Sequence, residues 1–313
     1  MKCIKAIEKF PRGLPNTVLT MGNFDGLHIG HQKLIHRVID ESKALDGTSV
    51  LLTFQPHPSY VVHNVQRIKK ITSFNEMLEL LRQYGLEYLL AIPFTPEFAT
   101  IEPETFLSDI IKKYINPAAI AVGVDHRFGR DRKGDISCLQ RFCDRESIRL
   151  HIVDQVFKLG DVVSSTRIRK AVDQANLDLV TSLLGRFLKT SGVITKGVGR
   201  GAELGFPTAN IHSGDHILPP SGVYATRSLL KHIYHPSVTY IGNSPTFNGK
   251  DLLVETHIFG IHQSLYGETL TVEFLKYIRP EKIFKNTFDL IKQMQTDMKR
   301  AMEMYGCFFS EKE

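Results

Sequence analysis

Several common features are missing from this chain, and each absence narrows the reading. No apolar run approaches the ~18 residues that a membrane span requires. Met1 to Phe10 carries lysines but no apolar core of the secretory-signal type. The four cysteines, Cys3, Cys138, Cys143 and Cys307, make no metal-type CxxC pair, and the apolar neighbours Leu139 and Phe142 mark Cys138 and Cys143 as buried free thiols. The sequence therefore predicts a reduced, cytoplasmic protein with no membrane partner. No GxxxxGK[ST] run exists, which excludes a P-loop kinase. There is no long run of one charge sign, no internal repeat and no low-complexity segment. The net charge of +6 suits small anionic substrates, and without a basic-aromatic stripe no nucleic-acid partner is expected.

What remains is an ordinary globular composition, with 42% hydrophobic and 23% charged residues over 313 positions. That length favours two domains. The most organised stretch runs from Thr20 to His31, T-M-G-N-F-D-G-L-H-I-G-H. Thr17 to Met21 reads as a strand, Gly22 and Gly26 as a tight turn, and Leu34, Ile35, Val38 and Ile39 as one face of a helix. His28 and His31 fall at that helix's start, where unpaired N–H groups and partial positive charge favour an anion. Asn23 and Asp25 sit in the same turn. The set reads as a nucleotide or phosphate site and resembles the HxGH motif of the nucleotidyltransferase superfamily.

Strands and helices then alternate. Ser49 to Phe54 is a nearly all-apolar strand, as in a sheet covered on both faces. It runs into Gln55-Pro56-His57-Pro58, so His57 lies at a strand's C-terminal end, where open α/β sheets bind ligands; a plain loop histidine is the alternative. Helices are predicted over 74–84, 103–114 and 136–145, and strands over 88–94, 118–124 and 150–156, which imply a parallel sheet. Asp125 to Gly134 carries four basic residues at a strand end and reads as a phosphate clamp or a solvated loop. Ser164, Ser165 and Thr166 read as an N-cap, and with Arg167 beside them as a second anion site, so that two helix N-termini hold one triphosphate from both ends.

After a helix over 177–184 the pattern changes, and Gly185-Arg186 marks a boundary between domains at 1–184 and 185–313. Strands over 187–196, 222–230, 238–241, 253–259 and 269–278 follow without intervening helices, as in a small antiparallel barrel. A helix over 287–305 ends the chain. Gly197-Val198-Gly199-Arg200-Gly201 reads as a phosphate-covering loop or a hairpin loop. Thr208 and Asn210, two apart in an extended segment, face one side and offer neutral oxygens of the kind Mg²⁺ takes. Glu255, in the apolar strand Leu253 to Phe259, is either a solvent-face carboxylate or a base.

Taken together, these motifs resemble the bacterial bifunctional riboflavin kinase/FAD synthetase family from about residue 15 to residue 300. The resemblance rests on Gly22-Asn23-Phe24-Asp25-Gly26 with His28 and His31, on Phe54 to Pro58, on Ser164 to Arg169, and on Gly205-Phe206-Pro207-Thr208-Ala209-Asn210. Gly222-Val223-Tyr224, Asn243 with Pro245-Thr246-Phe247, Glu255 and Arg279-Pro280-Glu281 extend it. It implies an α/β plus all-β chain, with a Rossmann-like nucleotidyltransferase domain on a parallel sheet, then a small β-barrel with a terminal helix. It implies phosphorylation of riboflavin to FMN by ATP with Mg²⁺, then adenylylation of FMN to FAD with release of pyrophosphate, in a monomer or weak homo-oligomer.

The implied roles follow the same motifs. His28 and His31 act in adenylyl transfer and Glu255 is the kinase base. Gly22, Asn23, Asp25, Ser164, Ser165, Thr166, Arg167, Gly199, Gly201 and Pro207 bind ATP. His57, Asp125, Arg279 and Glu281 bind flavin, and Thr208 and Asn210 hold the metal. Gly260 and Ile261 depart from the pattern after the Glu-x-His strand. They motivate the alternative of an FAD synthetase whose barrel binds flavin without phosphorylating it. A tRNA synthetase is disfavoured by the short chain and the lack of a KMSKS-like segment.

Overall fold

The computed structural model describes residues 1–62, 69–197, 201, 204–243, 252–261 and 263–309. It divides into two compact units, Met1–Ser164 and Ser165–Glu313.

The first unit is built on a parallel sheet of β1 (Lys2–Ile4), β2 (Val18–Met21), β3 (Ser49–Gln55), β4 (Tyr88–Pro93), β5 (Ala119–Gly123) and β6 (Arg149–Val153), in the order β1-β4-β3-β2-β5-β6. Alternate residues feed two cores. Leu19, Val50, Leu52, Ile120 and Val122 pack on one face, and Val18, Leu51, Ala119 and Ala121 on the other. This double burial is why the strands read as unbroken apolar runs. The connecting helices are α1 (Ile29–Ala44), α2 (Pro58–Val62), α3 (Phe74–Tyr84), α4 (Pro96–Ala99), α5 (Pro103–Thr105) and α6 (Ile136–Glu146). The helix expected over 103–114 forms, but beyond α5 it continues as a π-helix, Phe106–Ile115. A small hairpin of β7 (Phe157–Lys158) and β8 (Asp161–Val162) follows β6. Cys143 is buried among apolar side chains, which push its thiol up to about 12.

From β2 the chain lays down β3 and β4 on one side, then β5 and β6 on the other. The order reverses between β2 and β5, and the C-terminal ends of strands at such a reversal form a crevice for ligands.

In the second unit, α7 (Ser165–Asp173) and α8 (Leu177–Leu184) precede the antiparallel strands β9 (Leu188–Val193), β10 (Ala209–His212), β11 (Gly222–Leu230), β12 (Ile233–Asn243), β13 (Leu252–Ile258) and β14 (Thr269–Arg279). Their order is β10-β13-β12-β11-β14-β9. The Thr195 N–H donates to the Asn210 carbonyl at 2.9 Å, which nearly closes the sheet into a barrel. Buried hydroxyls are bonded across three strands inside it: Thr226 to Ser237 at 2.7 Å and to Thr239 at 2.8 Å, and Thr239 to Thr256 at 2.9 Å. The terminal helix α9 (Thr287–Phe309) is fastened by Arg279, whose guanidinium meets the buried Asp297 carboxylate at 2.8–3.1 Å.

Candidate active sites

In the first unit, the Gly22 turn leads from β2 into α1, and His28 caps the helix. Its Nδ1 accepts from the His31 backbone N–H at 3.2 Å. A neutral His28 therefore carries its proton on Nε2, as a donor. The two imidazoles stack with centroids 3.6 Å apart and planes within 16°. Phe24 meets His31 edge-on at 5.2 Å. Gly30 makes this packing possible, because a Cβ there would lie 3.2 Å from the His28 ring. Burial, reinforced by His28, holds His31 well below the usual imidazole range, so it is neutral near pH 7. His31 Nδ1 is buried without a hydrogen-bond partner among the described residues. Such an unmade bond costs about 1–3 kcal/mol unless a ligand completes it. The Val163 carbonyl lies 4.0 Å from the same Gly30 position, so the chain entering Ser164 passes over the first turn of α1.

The neighbouring strand end carries a third histidine. His126 stacks on Phe128 at 5.7 Å, and burial lowers its pKa to about 4. Its Nε2 also lacks a partner among the described residues. Asp125 beside it is exposed. His57, at the end of β3, accepts on Nδ1 from the Ser59 N–H at 3.2 Å.

Two groups at this edge also have partners within the protein. Asp25, expected at ATP, accepts on Oδ1 from the Ile71 and Thr72 N–H groups at 3.1 and 3.4 Å. It ties the glycine turn to the segment before α3. In the basic loop, Arg127 faces Asp135 at 3.5 Å, Arg130 faces Glu102 at 3.2 Å, and Lys133 faces Asp131 at 3.7 Å. Three of its four cations thus have carboxylate neighbours at the surface. Asn23 is exposed in the turn. In the second unit, Ser165, Thr166 and Arg167 form the first turn of α7.

The barrel site is built on strand faces. Asn210 of β10 lies directly opposite Glu255 of β13, and Glu255 lies opposite Tyr240 of β12. Residues in register on adjacent strands share a face, so the three make one row. Asn210 is 6% exposed, and its Oδ1 has no hydrogen-bond partner among the described residues. Gly197 sits directly on its amide. Gly201 approaches the Phe206 carbonyl, where a Cβ would come within 2.5 Å, and Thr208 Oγ1 at 3.3 Å. Gly197 and Gly201 thus lie against Asn210 and Thr208. His257, two residues from Glu255 on the same strand face, bonds on Nδ1 with the Pro207 carbonyl at 2.8 Å. It fixes the approach to Thr208. The spacing Glu-x-His was the available signal for it, since residues two apart on a strand share a face.

Arg279, expected at flavin, gives its Nε and Nη2 to Asp297 and its Nη1 to the Pro280 carbonyl at 2.9 Å. Its fork is engaged in holding α9. Glu281 accepts from the Tyr240 hydroxyl. Gly199 and the stretch from Pro245 to Phe247 lie outside the described residues.

Comparison with known proteins matches both halves separately. Residues 11–167 match the FAD synthetase family and residues 184–305 the riboflavin kinase family. A bifunctional riboflavin kinase/FMN adenylyltransferase of Escherichia coli is 32% identical over 98% of each chain. One from Listeria monocytogenes is 31% identical over 90% of each. A crystal structure from Streptococcus pneumoniae, described as a macrolide-efflux protein, superposes with a TM-score of 0.87 at 28% identity, covering 96% of this chain and 98% of that one. Among the described residues here, no helix is long and apolar enough to cross a membrane. The two family matches follow the order of the two units, the parallel-sheet unit first and the barrel second. The protein belongs to the bifunctional riboflavin kinase/FMN adenylyltransferase family.

Proposed function

We propose that both activities of the family operate in this chain, each through its own set of residues, with the domain boundary near Gly185. The observation that carries the double reading is the Asn210–Glu255 pair beneath Gly197, because it equips the barrel for phosphoryl transfer as well as for binding. Gly260, at the end of that strand, removes none of these groups.

In the barrel, Glu255 takes the proton from the 5′ hydroxyl of riboflavin as that oxygen attacks the γ-phosphorus of ATP and the bond to ADP breaks. A hydroxyl is a poor nucleophile, so a positioned base contributes about 10²–10⁴-fold. Thr208 and the unsatisfied, buried Oδ1 of Asn210 fit a hard cation that takes oxygen ligands and completes its shell with water and phosphate. Mg²⁺, when bound, supplies charge neutralisation for the ATP phosphates. Gly199, Gly201 and Pro207 bind ATP in this reading, and Gly201 lies against Thr208.

At the sheet edge, a phosphate oxygen of FMN attacks the α-phosphorus of ATP and pyrophosphate leaves. The nucleophile is already anionic, so positioning suffices, and holding two reactants contributes roughly 7–11 kcal/mol. His28, through Nε2–H, and His31 grip the phosphates, with Gly22, Asn23 and Ser164 near them. Ser165, Thr166 and Arg167, in the first turn of α7, bind ATP. His57 and Asp125 contact FMN. The free cysteines fit a cytoplasmic enzyme, monomeric or weakly self-associating.

The test is to incubate the protein with MgATP and riboflavin, and separately with MgATP and FMN, and to resolve the flavins. FMN and FAD in the first reaction are expected. FAD from FMN alone, with riboflavin untouched, would leave an adenylyltransferase with a binding barrel.

A further inference from the structure

The row on the barrel has a third member that the chemistry above does not use. Tyr240 stands opposite Glu255 on β12. Its ring folds along the strand over Gly242, where any Cβ would occupy the same space as the phenol. Its hydroxyl then donates to Glu281, in the segment that follows β14. Because β11 separates β12 from β14, this bond crosses a whole strand. The same segment is held from its other end by Arg279 on Asp297 of α9. Pro280 and Glu281 are thus clamped between α9 and β12, beside the row.

The order of the row says which substrate that clamp serves. Asn210 and Thr208, against Gly197 and Gly201, occupy the β10 side of Glu255. The acceptor hydroxyl must touch the base and face the phosphorus from the side away from the leaving ADP. With the phosphates on the β10 side, the acceptor lies on the β12 side, against Tyr240. We propose that the Tyr240–Glu281 bond is a latch that forms the acceptor wall of the kinase site, with Tyr240 a positioning residue for riboflavin. This rests on the assignment of Glu255 as base and of Thr208 and Asn210 to the phosphate side. Tyr240 is no second base: burial, Glu281 and Glu255 all raise its pKa, so it remains a donor.

The test uses the full chain. Tyr240→Phe removes one hydrogen bond to a charged acceptor and keeps the ring. Such a bond is worth at least a factor of about ten. The KM for riboflavin should rise about tenfold, with kcat within about twofold, and the Kd for riboflavin from its fluorescence should rise in parallel. Adenylylation of FMN should be unchanged, and the retained kcat for riboflavin reports that the barrel is folded. Glu281→Ala should give the same rise, the double variant should be no worse than either single one, and Glu281→Gln, which keeps an acceptor oxygen, should raise KM less than Glu281→Ala. An unchanged KM in Tyr240→Phe, additive effects in the double variant, or a fall in kcat with KM constant would each overturn the latch. Failure of the base assignment is read separately, as full kinase turnover in Glu255→Gln.

Discussion

The two candidate sites are made by opposite means. In the first unit the polar groups stand at strand ends and at a helix start, and their precision comes from short-range packing: His28 on His31, both over Gly30. In the barrel the groups lie on strand faces, and their precision comes from long-range register, which brings residues 210, 240 and 255 into one line. The difference matches the chemistry assigned to each. A phosphate nucleophile needs only to be gripped and aimed, which donors at an edge do. A hydroxyl needs a carboxylate fixed beside it to take its proton, which a rigid sheet supplies.

Three further measurements break or sharpen this contrast. The largest effect is expected for Glu255→Gln, which should slow riboflavin phosphorylation by about 10²–10⁴-fold while FMN adenylylation proceeds at the original rate. Loss of both in a folded variant would mean that the sites are not separate. Next, His31→Ala should cut FAD formation from FMN by about 10²–10³-fold, the cost of losing one preorganised donor to developing charge, and leave FMN formation intact; equal FAD yields would remove His31 from the site. The smallest effect concerns pH. A histidine in the unfolded chain protonates near 6.5, whereas folded His126 resists until about 4. The unfolded state therefore binds more protons in that window, and stability of the first unit falls as pH drops from about 6.5 to about 4. Thermal unfolding followed across this range should show the loss, and His126→Phe should make it shallower, with the depressed His31 contributing the remainder. An unchanged slope in that variant would assign the acid sensitivity to other groups.

Much of this was legible in the sequence because its signals are local. The helix over 74–84 and the strand over 222–230 have the expected bounds, set by apolar periodicity with Gly85 and Gly222 as punctuation. Glycine, histidine and a helix start within twelve residues were enough to locate the first site. Less visible were features that depend on distant partners. β1 is three residues long and exists by pairing with β4. β10 is not among the strands read in the sequence, because its four residues pair as a strand only against β13. Asp25, Arg279 and the loop around Arg130 carry the residue types of a ligand site, yet their charges are directed at backbone and at carboxylates. Charge in a motif says that a partner is needed, not whether the partner is a substrate. Tyr240 gave no signal, since its meaning lies in Glu255 and Glu281, fifteen and forty-one residues away.

The alignment of Asn210, Glu255 and Tyr240 also makes the barrel's activity a gauge of correct folding. A strand of β13 paired one residue out of step would turn Val254 or Thr256 toward the site and bury Glu255 among the interior hydroxyls. Such a misfolded barrel would keep nearly all its backbone hydrogen bonds and look native by secondary structure, yet make no FMN. Turnover of riboflavin, rather than circular dichroism, is then the sensitive assay for whether a refolded or mutated chain has found its native pairing.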